Sequence, residues 1–236
     1  MKRAIRRVVL SVVAVLGMGA GTAFATPFGP IPYLQASDSP FVSLSFGYFF
    51  LEDFEDHVLN TLGATGLSGG VTSVVFGPSV HDSVDADDGV IDGSGLLGDS
   101  WFNSGASTGF SFSAALLGSL PTHVGLVWTD GPFGTPVTFQ AFGPDGVTLV
   151  CNISGSGFAN NSFNGETAED RFFGCADLGG ISKVTMTNAF GGGIEVDHLQ
   201  YGSLAQAQAV PEPGTLTLFG IGAGVARLLR RRRYFV

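Results

Sequence analysis

The sequence predicts an all-β fold, an antiparallel β-sandwich of jelly-roll type, for residues 26–205, flanked by a signal helix and a C-terminal hydrophobic helix. Three observations lead there. Short runs alternate apolar and small polar residues, the period-2 pattern of a strand with one buried face. Turn chemistry separates the runs: the chain holds 36 glycines and 11 prolines, clustered as in Gly77-Pro78, Asp130-Gly131-Pro132, Gly143-Pro144-Asp145-Gly146 and Gly191 to Gly193. Helix-period stretches are almost absent, so there is no βαβ alternation to build a parallel sheet. The 21 phenylalanines supply bulky side chains for a core between two sheets.

The clearest alternation lies at Phe41 to Phe46, Phe110 to Ser113, Val137 to Phe142 and Lys183 to Thr187. Further strands fit Val71 to Phe76, His123 to Trp128, Val147 to Val150, Arg171 to Phe173 and Gly193 to Tyr201. Two short helical patches are expected, Asp53 to Thr61 and Ala114 to Ser119. A β-helix would need a fixed repeat period, and the sequence has none.

The two ends have a different character. Lys2, Arg3, Arg6 and Arg7 form a basic region, Val8 to Ala20 an apolar one, and Ala23-Phe24-Ala25 a small-x-small cleavage site. That order is a secretory signal peptide, residues 1–25, which directs a chain to the Sec translocon and leaves Thr26 as the first mature residue. Residues 206–210 form a polar, alanine-rich linker. Residues 211–236 open on Pro211-Glu212-Pro213, continue through an apolar, glycine-rich run from Thr215 to Ala226, and close around Arg230, Arg231, Arg232 and Arg233. The apolar run is shorter than the roughly 20 residues that cross a bilayer upright, and the arginine block is held on the cytoplasmic side. An ordinary tail anchor would have no use for the Pro-Glu-Pro triplet.

This tail resembles the PEP-CTERM sorting tail of exported bacterial proteins. The resemblance implies a partner, an integral-membrane protease of the exosortase type. It also implies a membrane helix that is transient or permanent, and a final site at the cell surface or outside the cell. Similar tails occur on ice-binding proteins, so ice binding is a third reading that rests on the tail alone.

The formal charge of -9 conceals a division. Four of the 11 bases lie in the signal peptide and five in the tail, so the working part holds 19 acids against Arg171 and Lys183, a charge of -17. Such a domain repels nucleic acid and attracts cations. Cys151 and Cys175 are the only cysteines, and an exported location lets them form one disulfide.

Acidic clusters are where chemistry is expected. Five aspartates crowd the segment from Asp82 to Asp92, punctuated by Gly89, and calcium takes six to eight hard oxygen ligands. Asp85, Asp87 and Asp92 are the leading ligands. The spacing does not fit an EF-hand loop, and a solvated acidic turn without metal is the alternative. In an alternating strand Glu195 and Asp197 share one face, and Ile194, Val196 and His198 the other. With the early run Glu52-Asp53-Phe54-Glu55-Asp56, this resembles the first and last strands of jelly-roll carbohydrate-binding modules, where such acids meet at a structural calcium ion. The resemblance adds Glu52, Glu55 and Asp197 to the candidate metal ligands.

Pro121-Thr122-His123, Thr167 to Gly174 and Glu195 to Leu199 also resemble a family of secreted bacterial β-sandwich proteins, which brings no activity with it. Arg171, beside Glu169 and Asp170, is expected to form a structural ion pair.

No enzyme motif survives its context. Gly105-Ala106-Ser107-Thr108-Gly109 fits G-x-S-x-G, but that elbow needs a strand-to-helix turn in an α/β sheet. His57, His81, His123 and His198 lack metal-site spacing and read as single surface or core histidines, and Trp101 and Trp128 read as core. The expectation is a non-enzymatic surface or extracellular-matrix protein, calcium-stabilised and polysaccharide-binding. The alternative is an extracellular glycan hydrolase, which would need two carboxylates across a cleft.

Overall fold

The computed structural model describes residues 25–76, 83–84, 98–131, 134, 136–159 and 168–205. The signal segment with Ala23, the linker, the sorting residues Pro211, Glu212, Pro213 and Arg230 to Arg233, and the acidic residues Asp85, Asp87 and Asp92 lie outside the described residues.

The strands are β1 (Thr26–Pro32), β2 (Phe46–Glu52), β3 (Ala64–Ser68), β4 (Gly70–Val71), β5 (Trp101–Asn103), β6 (Ser107–Phe112), β7 (His123–Asp130), β8 (Val137–Phe142), β9 (Leu149–Gly155), β10 (Arg171–Ala176), β11 (Lys183–Asn188) and β12 (Ile194–Leu204). Among the described residues two short α-helices, α1 (Thr72–Phe76) and α2 (Ala114–Leu117), and a 3-10 turn at Ala36–Asp38 join them. One sheet runs β1-β10-β7-β12-β5-β4, with β2 also paired to β12; the other runs β3-β6-β11-β8-β9. Every pairing is antiparallel. Among the described residues no helix is long and apolar enough to cross a membrane.

The core lies between the sheets. Phe110, Phe139, Val184 and Met186 from one sheet face Leu126, Trp128, Phe173 and Tyr201 from the other, all buried. Both flanks are closed. At one, Gly69 turns the chain from β3 directly into β4 in the opposite sheet; its φ is +104°, and a Cβ there would stand 2.4 Å from the Phe102 carbonyl oxygen. At the other, Cys151 on β9 is bonded to Cys175 on β10, with Cα atoms 6.1 Å apart, as the cysteine count predicted.

A second apolar cluster covers the outer face of the first sheet. Tyr33, Phe41, Val84, Val127 and Phe172 are buried there, with Phe28 and Phe46 against them. This is why every residue of β7 and the first nine of β12 are buried, rather than every second one.

Val137 to Phe142, Lys183 to Asn188 and His123 to Asp130 match the predicted strands, and α2 falls in the expected patch. Other segments differ. Phe41 to Leu44 is a turn, because the Ser39 hydroxyl accepts the Phe41 N–H at 3.1 Å and Phe41 plugs the outer cluster; the strand begins only at Phe46. Asp53 to Thr61 contains no helix: Phe54 and His57 take positive φ, and Glu52 holds the loop by accepting backbone N–H groups. Val71 to Phe76 turns into α1 after one strand residue, and Val147 stays in the turn before β9. β1 carries no alternation signal because three of its seven residues are proline, which a strand tolerates at a sheet edge.

Candidate functional site

The described residues hold three polar constellations, and β12 positions two of them on the outer face of the first sheet. Its alternation is broken by register shifts either side of Val196 and Asp197, and His198 has φ +43°. Ile194, Val196, Leu199 and Tyr201 therefore all reach the core, while Glu195 and Asp197 turn outward. The bulge also moves His198 to the outer face beside Tyr33, instead of the core face predicted for it.

Asp197 is fully buried. Its Oδ2 accepts the Val84 N–H at 2.9 Å and the Ser83 hydroxyl at 3.2 Å. The same hydroxyl lies 3.3 Å from Glu55 Oε1, which also accepts the Asp99 N–H at 2.8 Å. Burial pushes the Asp197 carboxyl well above the usual carboxylate range, and the charges of Glu55 and Asp53 add to that rise. Of the predicted metal ligands, then, Glu55 and Asp197 meet through Ser83. Glu52 does not join them: its Oε1 accepts the N–H of Phe54 (3.2 Å), and its Oε2 those of Asn60 (3.1 Å) and Thr61 (3.0 Å). Among the described residues no group of three or more His, Cys, Asp or Glu side chains could hold a metal ion.

The second constellation joins His57, Ser73 and Asp99. His57 Nδ1 is hydrogen-bonded to Asp99 Oδ2, Ser73 Oγ lies 3.2 Å from the same nitrogen, and Ser73 donates to Asp99 Oδ2 at 2.8 Å. Asp99 Oδ1 accepts the Ser73 N–H (2.7 Å) and the Thr72 hydroxyl (2.9 Å). Burial alone would raise the Asp99 carboxyl, but His57, Ser73 and Thr72 together hold it below its ordinary value. Sequence spacing gave no sign of this group, since its members are 16 to 42 residues apart. It is not a nucleophile relay. A relay needs the serine on one imidazole nitrogen and the carboxylate on the other, whereas both are at Nδ1 here and the serine proton goes to the aspartate. The arrangement fastens α1 to the loop before β5.

A cleft of about 360 Å³ forms the third, between β2 and the segment that runs from the 3-10 turn at Ala36–Asp38 through the turn at Phe41. Phe41, Phe46 and Phe49 make its walls and Val42 and Leu44 its rim. Its polar base is a chain: Ser39 Oγ donates to Gln200 Oε1 (2.5 Å), Gln200 Nε2 donates to the Tyr33 hydroxyl (3.0 Å), and that hydroxyl meets His198 Nδ1 (3.0 Å). The phenol oxygen accepts from Gln200 and has a second lone pair, so the proton shared with His198 Nδ1 can belong to either partner. Burial drives His198 down to about 3, so the ring is neutral, and burial raises the Tyr33 hydroxyl far above its ordinary value. No proton moves readily here. Sequence reading missed the cleft because Tyr33, Ser39 and Gln200 are polar residues of ordinary spacing.

Arg171 makes no ion pair among the described residues, and several acids of the chain lie outside them. Its guanidinium donates to the Ala168 (3.0 Å) and Asp170 (2.8 Å) carbonyls and lies 5.1 Å from the centre of the Phe158 ring.

Comparison with known proteins adds one firm finding. Residues 209–233 match the family described as PEP-CTERM protein-sorting motif, in agreement with the tail resemblance and within two residues of its expected start at Pro211. No curated protein matches the chain. Among solved structures, the enzymatically active domain of the bacteriophage CBA120 tailspike protein 4 is similar at 16% identity and a TM-score of 0.31, over 64% of this chain and 20% of that one. The chain thus spans one fifth of that protein, a likeness too slight to carry an argument. The chain therefore carries a PEP-CTERM protein-sorting motif at residues 209–233, the mark of an exported protein that exosortase sorts by a membrane-anchored signal to the cell surface or beyond.

Proposed function

We propose that the domain is a non-catalytic surface or matrix module of jelly-roll type that holds extracellular polysaccharide in the Tyr33–Gln200 cleft. One observation carries this reading: the cleft sets aromatic rings at Phe46 and Phe49 beside an uncharged polar base in which Ser39 and Gln200 bond each other, with no carboxylate among its described lining residues. Sugar rings bury their C–H faces on aromatic side chains and satisfy their hydroxyls on neutral polar groups. Glycoside hydrolysis needs two carboxylates flanking the bond, which this lining does not supply. On a panel of polysaccharides the exported chain is expected to be retained without releasing soluble product. Phe49→Ala is expected to weaken retention by about tenfold, the equivalent of one aromatic contact of roughly 1.4 kcal/mol. Unchanged binding by that variant, or soluble product lost on replacing a single carboxylate, would overturn the reading.

A calcium ion bound near Glu55 and Asp197 is the second proposal. Two carboxylates on one serine hydroxyl, immediately before the aspartate-rich segment from Asp85, support it. Millimolar calcium should then raise the melting temperature, with a chelator reversing the rise; at 100 times the dissociation constant the gain is about 2.7 kcal/mol. No shift at millimolar calcium would sink it.

A further inference from the structure

The chain leaves the described domain at the cleft. β12 ends at Leu204, and the next N–H, that of Ala205, donates to the Ser45 carbonyl at 3.1 Å, in the turn between Leu44 and Phe46 of the cleft lining. Ala205 also passes close to β2: a Cβ built on Gly47 would stand 3.6 Å from its Cα. The sorting motif begins four residues later, at 209, and its apolar run ten residues later, at Thr215, a reach of at most about 35 Å. An anchored signal therefore leaves the sandwich at the end that carries the cleft.

The segment that forms the wall and rim of the cleft is apolar, with Asp38 the carboxylate next to it in the chain. It spans residues 39–51, Ser-Pro-Phe-Val-Ser-Leu-Ser-Phe-Gly-Tyr-Phe-Phe-Leu, in a domain of -17. Within this segment, which has no side chain charged at neutral pH, Val42 is 63% exposed, Phe49 40% and Leu44 36%. Clustered exposed apolar side chains mark a contact surface, and aromatic rings with short aliphatic neighbours suit the boundary between headgroups and acyl chains. The repulsion that the domain's charge would meet at anionic lipid is absent at a zwitterionic surface.

We propose that the rim residues Val42 and Leu44, with the exposed edge of Phe49 in the wall, rest on the outer lipid surface while the sorting tail holds the chain there, so that loss of the tail uncovers the cleft. This rests on the anchored-signal reading of residues 209–233, and its second half on the cleft as the binding site. Processing would then do more than release the protein. It would convert a covered cleft into an open one.

The test uses the chain from Thr26 to Val236, reconstituted through its tail into phosphatidylcholine vesicles with or without bromine on the acyl chains near the headgroup. Tryptophan is placed at Phe49 or, as control, at Phe190, which is 80% exposed beyond the opposite end of β12, about 30 Å away. The native Trp101 and Trp128 are buried and their emission is subtracted using the unsubstituted chain. Emission from Phe49→Trp should fall in brominated vesicles, and emission from Phe190→Trp should not. Equal behaviour of the two, whether both fall or neither does, overturns the inference while leaving the sorting and glycan readings intact. A chain that fails to float with the vesicles removes the anchored-signal reading and this inference together. Glycan retention by the chain free of vesicles tests the cleft separately.

Discussion

Replacing Cys151 and Cys175 together by alanine should lower the stability of the domain by about 3.5 kcal/mol, the chain-entropy value for a bridge between residues 24 apart. For a domain of this size that is a fall in melting temperature of roughly 10 °C. The position of the bridge explains why the loss would be cooperative. β9 and β10 lie in different sheets and are joined by no backbone ladder, so the disulfide is the covalent tie across that flank. Both sulfurs belong to the buried core, so the double variant also loses packing, and reduction of the unsubstituted chain separates the two effects. Scanning calorimetry with and without reductant gives the answer. A melting temperature that neither treatment moves would show that the β1 and β9 edges hold together without the bridge.

Asp130→Asn should stabilise the domain by about 2.5 kcal/mol at pH 7 relative to its effect at pH 4. Asp130 ends β7, opposite Glu195 on β12, and burial pushes its carboxyl up from 3.8 to about 6, against a lowering by the Gly131 N–H that it accepts. A rise of about two units corresponds to about 3 kcal/mol, of which about 2.5 falls between pH 4 and pH 7. The sign follows from proton linkage. A group whose folded-state value is raised contributes stability below its unfolded value, near 4, and that contribution is lost as pH rises through 6. Asparagine cannot ionise, and its amide oxygen can still accept the Gly131 N–H, so the variant escapes the loss. Urea unfolding of both chains at the two pH values measures the difference of differences. A variant whose effect is the same at pH 4 and pH 7 would mean that Asp130 titrates at its ordinary value, with water reaching the end of β7.

Much of the architecture was legible because strand patterning is local. Val137 to Phe142 alternates in the sequence and in its burial alike, since one face meets the core and the other meets solvent. Where two covers meet one strand, that signal disappears. β7 and β12 are buried on both faces, so the outward set of Glu195 and Asp197 showed only as misplaced acids, and the bulge that redirects His198 left no trace in the spacing. The Phe41 turn failed for a related reason: its alternation is real, but a hydroxyl cap and a pocket among Phe28, Phe172 and His123 favour a turn over a ladder.

By itself the sequence determined what is written contiguously. It specified the sorting tail, the all-β class, the disulfide and the division between an acidic domain and basic ends, because each depends on residue types within a short window or on a simple count. Only the tertiary structure decided what depends on residues far apart: the meeting of Glu55 with Asp197 at Ser83, the fastening of His57 and Ser73 to Asp99, and the Ser39–Gln200–Tyr33–His198 chain under the cleft. Hydrogen bonds spanning 16 to 167 residues carry no sequence period. They exist because two sheets, an outer cover and a register shift in β12 bring distant segments together.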